Sequence, residues 1–332
     1  MNNKILKQRW EKVDELLSAF FTKNKKINRR IYDNIQSILD GIKFSYEDLD
    51  NYASSSEIIR LRGRIEDIKD EYGLSGYPGY QLNSFLSRKK LKNREVLYAY
   101  LLTEYYKQQQ EQAVEENKLF DEVCTMTYKS VGVETYEVLH KKKPKKIEEP
   151  KAWLLGLILN TGYNGFAWLF NKEGTLMYNT KNLYEVILIL IQQNKPLSTS
   201  TYEIDKLLKK QEKAYLNKTK REKIYEDYKN DFSGSLDNQI AFLVNQVALK
   251  GIKDQGCKRV QFIAVMDEET TTMCKTLDGQ IFEIDGKNVY SRYSAEDKKN
   301  IVYETYGLET GANLPPINNH FHYCRSTIYP YR

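Results

Sequence analysis

The chain has 332 residues, 41% of them apolar and 29% charged, and a net charge of +6. That length excludes a single small module, and that composition excludes wholesale disorder, because there is enough apolar surface to offset the ordering of most of the chain. Acids nearly match bases, so a protein dedicated to wrapping DNA is excluded as well.

Tyrosine is abundant, at 26 residues, and its apolar ring with a polar tip suits surfaces that become partly buried in an assembly. Cys124, Cys257, Cys274 and Cys324 are too few for a disulfide-framed secreted domain, which points to a reducing cytosol. The opening residues lack the continuous apolar core of a signal peptide. The most apolar runs, Ala152 to Leu159 and Val186 to Ile191, fall short of the ~20 residues of a membrane span, so no membrane partner is expected.

From Lys4 to Phe21 the apolar residues Ile5, Leu6, Val13, Leu16, Leu17, Phe20 and Phe21 recur at helical spacing between charges, and Ile27 to Leu39 repeats the pattern. Ser56 to Lys69 predicts another helix, with Ile58, Ile59, Leu61, Ile65 and Ile68 on one side. Three glycines and a proline between Tyr72 and Tyr80 read as turn punctuation, and Phe85 to about Cys124 as one long polar helix. The charged, proline-containing tract His140 to Pro150 reads as a linker or long loop.

Downstream, Ala152 to Leu159 predicts a buried helix followed by a turn, and Leu183–Gln193 and Ser200–Asn230 predict two more helices. Leu236, Ile240, Leu243, Val244 and Val247 mark a helix ending near Gly251 or Gly256. After it the character changes. Val260 to Met266 suits a buried strand, Asp278 to Gly286 a hairpin or pair of short strands around glycine turns, and Ser326 to Arg332 a terminal strand. The fold expected is α+β: a helical region over 1–150, a helical middle region over 151–235, and a smaller domain of short strands over 236–332.

One constellation in the last third carries chemistry. Asp267, Thr270 and Cys274 are followed by Leu277, Asp278 and Gly279, and then by Pro315, Pro316, His320, His322, Cys324 and Arg325. Cys274, Cys324, His320 and His322 are the donor types a tetrahedral zinc takes. Yet His320, His322 and Cys324 alternate more closely than paired zinc ligands do. Packing of the two cysteines as small apolar groups, with the histidines bonded to backbone or carboxylate partners, is the favoured alternative to a zinc cofactor.

The same residues resemble the C-terminal domain of the Mu F-like, or SPP1 gp7-like, family of phage minor head (head morphogenesis) proteins. That pattern runs close to D-x-x-T-x-x-x-C, then L-D-G, then P-P-x-H followed by C-R. Asp267, Thr270, Cys274, Leu277, Asp278, Gly279, Pro315, Pro316, Cys324 and Arg325 stand at matching places. Two departures are plain: Thr271 stands where the family often has a second cysteine, and His320 and His322 lie further from the proline pair than the family histidine does. The resemblance covers the chain from near Leu236 onward. It implies a non-enzymatic, portal-associated virion component at the portal vertex, present in the host cytoplasm during assembly. Its implied partners are the portal protein, the scaffold or major capsid protein, and packaged double-stranded DNA.

Other residues allow competing readings. Asp278–Gly279 is the ordinary pair for a hairpin turn. Arg325 suits a bidentate bond to a carboxylate such as Asp267 or Asp278. Lys141, Lys142, Lys143, Lys145 and Lys146 fit a solvated linker better than a DNA contact, since Glu148 and Glu149 follow at once. No nucleotide-binding glycine loop, metalloprotease helix or hydrolase elbow occurs in the sequence. A thiol- or metal-dependent enzyme or toxin using Cys274, His320, His322 and Cys324 is the alternative from another class, and a DNA-binding module is a third.

Overall fold

The computed structural model describes residues 2–41, 47–160, 180–181, 183–189, 206, 236–264, 272–294, 297–308 and 326–332. Among these, the N-terminal region is predominantly helical, and the C-terminal region is a small α+β arrangement of short antiparallel strands, as the sequence predicts.

Helix α1 (Asn2–Asp40) is one continuous element where the sequence suggests two. The polar stretch between its apolar halves contains neither glycine nor proline, so nothing stops the helix, and Asn24 there is fully buried. Its inner stripe is Trp10, Val13, Leu17, Phe20, Ile27, Ile31, Ile35 and Ile38. A 3-10 turn (Glu47–Asp50) follows.

Helix α2 (Ser55–Tyr72) starts on Ser54, whose hydroxyl accepts the Glu57 N–H at 3.2 Å, and ends on Gly73 at φ 71°, whose N–H donates to the Lys69 carbonyl at 2.9 Å. Ile58, Leu61, Ile65 and Ile68 are buried, but Ile59 is 67% exposed and leaves the expected stripe.

The turn expected across Tyr72 to Tyr80 is narrower than its composition suggests, because helix α3 (Gly76–Ser87) already begins at Gly76. Pro78 lies in the first turn, where a missing N–H costs no hydrogen bond. A Cβ at Gly79 would meet the Leu74 carbonyl carbon at 2.7 Å, so glycine permits that close approach.

The long helix expected from Phe85 is broken between Ser87 and Asn93, where Leu91 plunges into the core, and α4 (Asn93–His140) then runs well past Cys124. Glu95 Oε2 accepts the Lys92 N–H at 2.8 Å and closes its first turn. Residues 141–150 have no regular structure, in keeping with the linker expected there.

The chain divides into two compact units. The first, Phe20–Glu116 with Phe166–Lys223, packs Ile31, Ile35, Leu61, Ile65, Leu82, Leu97 and Leu101 with the helical residues Leu183 and Ile187. Its helices are also linked through polar side chains. Lys23 pairs with Glu115 at 2.8 Å, Arg30 with Glu111, and Glu104 takes both Asn34 at 3.0 Å and Arg64 at 3.3 Å.

The second unit comprises Met1–Ala19, Asn117–Gly165 and Ile224–Arg332. It contains α5 (Lys151–Asn160), α6 (Leu236–Asp254), β1 (Arg259–Ile263), α7 (Thr272–Leu277), β2 (Ile281–Glu283), β3 (Lys287–Ser294), β4 (Lys299–Tyr306) and β5 (Thr327–Tyr331). The burial expected of α5 is not found: Leu154 is buried, but Leu155 is 58% exposed.

Strand β1 is central in a three-stranded antiparallel sheet ordered β2-β1-β5, while β3 and β4 form a separate hairpin. Pro330 faces Val260 in the pairing of β5 with β1, and its place on an edge strand is where a residue without an N–H is tolerated. Val265 and Met266, the rest of the stretch expected as strand, and nearly all of Ser200–Asn230 lie outside the described residues.

Candidate functional site

Of the constellation found in the sequence, Cys274, Leu277, Asp278 and Gly279 are described. Asp267, Thr270, Pro315, Pro316, His320, His322, Cys324 and Arg325 lie outside the described residues. The four described residues span the last turn of α7 and its exit toward β2.

Each has a definite place. Cys274 and Leu277, three residues apart on α7, are buried in one apolar cluster with Phe262, Phe282, Tyr290 and Ile328. Asp278 Oδ1 accepts the N–H of Ala264, just past the end of β1, at 2.8 Å. The Asp278 N–H donates to the Cys274 carbonyl at 3.1 Å, so the helix closes on the residue that tethers β1.

Gly279 stands at φ 79°, which an L side chain adopts only with strain. Its N–H donates to the Phe262 carbonyl at 2.9 Å, and the Phe262 N–H donates to the Gln280 carbonyl at 2.9 Å. Asp278–Gly279 is therefore a helix-to-strand turn stitched onto β1, not the hairpin turn that this residue pair suggests. The dipeptide supplies a positive φ in either setting, and local sequence does not distinguish them.

Gln280 and Thr276 extend the stitching. The Gln280 amide donates to the Thr276 carbonyl at 2.6 Å and to the Ser291 carbonyl at 2.9 Å, and the Thr276 hydroxyl accepts the Tyr293 N–H at 3.2 Å. On the far side of β2, Asn288 accepts the Glu283 N–H at 2.7 Å and donates to the Glu283 carbonyl at 2.9 Å. These three residues were not singled out in the sequence. Gln280 and Asn288, as polar residues beside glycine turns and apolar strands, were the available signal.

Cys274 is the one described member of the candidate zinc set. Among the described residues no group of three or more His, Cys, Asp or Glu side chains is placed to hold a metal. The other described cysteines are buried too. Burial pushes the Cys124 thiol up to about 12, the Asp121 charge adding to the effect, and the Cys257 thiol lies 3.1 Å from the Arg259 carbonyl.

A buried ionic group in the same unit also went unforeseen. Arg9 of α1 pairs with Glu134 of α4 at 2.6 Å, and the Ser130 hydroxyl donates to the same carboxylate at 2.8 Å. Desolvation first, and then the carboxylates of Glu134 and Glu137, raise the pKa of the nearby Tyr329 hydroxyl. The sequence signal was an arginine beside Trp10 and four residues before Val13 on the inner stripe of α1.

Among the described residues, no helix is long and apolar enough to cross a membrane. Comparison of the chain with protein-family models, with curated proteins and with solved structures gives no match.

Proposed function

We propose that this chain is a minor head protein of a tailed phage, associated with the portal at the portal vertex and acting in head assembly by binding rather than by catalysis. The observation that carries the reading is the ordered constellation Asp267, Thr270, Cys274, Leu277, Asp278, Gly279, Pro315, Pro316, Cys324 and Arg325, which resembles the Mu F-like pattern. How its described members are used supports a structural role. Leu277 fills the core, Asp278 and Gly279 fix the turn onto β1, and Cys274 is only 5% exposed, a poor position for a nucleophile.

Partners under this reading are the portal protein, the scaffold or major capsid protein, and packaged double-stranded DNA. It is tested by mixing the purified chain with heads assembled around the cognate portal and with heads lacking it, then separating bound from free by sedimentation. Stoichiometric retention that requires the portal is the expected result. Equal loss from both kinds of head overturns it.

A further inference from the structure

Helix α3 differs from every other described helix in carrying no Asp, Glu, Lys or Arg, in a chain that is 29% charged. Its inner side buries Pro78, Gly79, Leu82 and Phe85. Its outer side presents Tyr77, 60% exposed, and Tyr80, 69% exposed, followed by the exposed Ser84 and Ser87 at helical spacing. The solvated face of a surface helix is ordinarily made of charged and polar residues. A face without charge and with large exposed tyrosines has the composition of an interface core.

The border of this face is cationic at one end. Immediately after α3 come Arg88, Lys89 and Lys90, all exposed. The run is held in place by Arg62, whose guanidinium donates to the Arg88 carbonyl at 2.5 Å, and by the Ala53 N–H, which donates to the Leu91 carbonyl at 2.8 Å. Arg88 is paired with Glu95, while Lys92 and Arg94 share Asp50. Lys90 stands 5.3 Å from the centre of the exposed Tyr52 ring, and among the described residues neither Lys89 nor Lys90 has a carboxylate partner.

We infer that the outer face of α3 is a protein-docking surface whose partner offers an apolar seat for Tyr77 and Tyr80 and carboxylates that meet Lys89 and Lys90. Charge complementarity selects that occupant. Two lysines without a carboxylate partner among the described residues are few for duplex DNA, whose binding proteins neutralise roughly 6–10 phosphates. A second copy meeting α3 through α3 would bring no carboxylate on that helix to the lysines.

This inference rests on the reading of the chain as a portal-associated head protein, which supplies the probe: DNA-free heads assembled around the cognate portal. The full-length chain is compared with Tyr77→Ser/Tyr80→Ser, with Lys89→Glu/Lys90→Glu, and with a control pair on the exposed hairpin face, Val289→Ser/Val302→Ser. Thermal unfolding midpoints matching the parent chain establish that the variants fold. A photo-crosslinking phenylalanine at position 80 of the otherwise intact chain gives a second readout.

The expected result is a fall of roughly tenfold or more in apparent affinity for both α3 variants, none for the control, and a crosslink from position 80 to a head protein. Retention of both α3 variants at the parental level overturns the inference and leaves portal association standing. With DNA-filled heads assayed in parallel, a loss confined to the lysine variant and seen only on those heads also overturns it by making nucleic acid the ligand. Failure of the parent chain itself to be retained removes both readings together.

Discussion

The two compact units use both side chain–side chain and side chain–backbone bonds, and they differ in which of the two joins their main elements. In the unit built from Phe20–Glu116, helices satisfy their own backbones, so side chains are free to bond one another: Lys23 with Glu115, Arg30 with Glu111, and Asn34 and Arg64 with Glu104. In the strand-bearing unit, short strands and turns leave backbone groups over, and side chains are spent on them. Asp278 takes the Ala264 N–H, Asn288 takes both polar groups of Glu283, and Gln280 bridges to the Ser291 carbonyl. A surface ion pair tolerates many replacements, but a side chain that must reach a particular peptide group does not. Of these backbone-binding side chains, Asp278 belongs to the constellation read in the sequence.

Truncation of either apolar core should fail to separate the two units. Phe282→Ala in the strand core is expected to cost about 3–5 kcal/mol and Leu61→Ala in the helical core about 2–5 kcal/mol, measured by urea unfolding. Both side chains are essentially inaccessible. A cost below about 1 kcal/mol for either would mean that the cavity collapses, and that the two cores are not equally well packed.

The pair Arg9–Glu134 of the second unit is a bond between two buried side chains, unlike the exposed Lys287–Glu304 pair of the same unit. Among the described residues, Nε and Nη1 of Arg9 find no hydrogen-bond partner, so the pair is only partly satisfied. Glu134→Gln, which strands the guanidinium, is expected to cost about 3 kcal/mol or more, whereas Arg9→Met/Glu134→Leu should recover most of that loss. A double-mutant cycle by equilibrium unfolding checks this. If the double variant is as unstable as Glu134→Gln alone, the pair serves as packing and not as a charge problem.

The helical half of the fold was legible because its apolar residues recur at a helical period. The misreadings have local causes. Thr22–Lys26 is polar but lacks a helix breaker, so α1 runs on, and Pro78 is accommodated within α3 because it falls in the first turn. Leu277, Asp278 and Gly279 were visible as a motif, but their turn type was not. Asp-Gly serves both hairpins and helix ends, and the choice is made by Phe262 and Ala264 of a distant stretch of chain. The same non-locality hid the Arg9–Glu134 pair, whose members stand on two different helices far apart in the chain.

The contrast between the units is tested most directly by removing one bond of each kind. Asp278→Ala is expected to destabilise by about 1–2 kcal/mol, because the buried Ala264 loses its N–H acceptor, and Asp278→Asn should restore part of that loss. Gly279→Ala adds strain of about 1 kcal/mol at its positive φ. Arg30→Ala, which removes a largely exposed partner of Glu111, should cost less than about 1 kcal/mol. Equal losses for Asp278→Ala and Arg30→Ala would erase the distinction drawn between the units.

The smallest effect is expected where the strand-bearing unit imitates the helical one. Lys287 and Glu304 face each other diagonally across the β3–β4 hairpin at 2.7 Å, with both side chains more than half exposed. Solvent screens that attraction, and ordering two long side chains offsets what remains, so Lys287→Ala should change stability by no more than about 0.5 kcal/mol. The change should shrink further in high salt. Thermal unfolding at low and high ionic strength reads both quantities. A loss above about 1 kcal/mol that persists in salt would show that Lys287 acts through its aliphatic stem against the exposed Tyr306, its cross-strand neighbour, and that side-chain pairs as well as backbone bonds set the register of this hairpin.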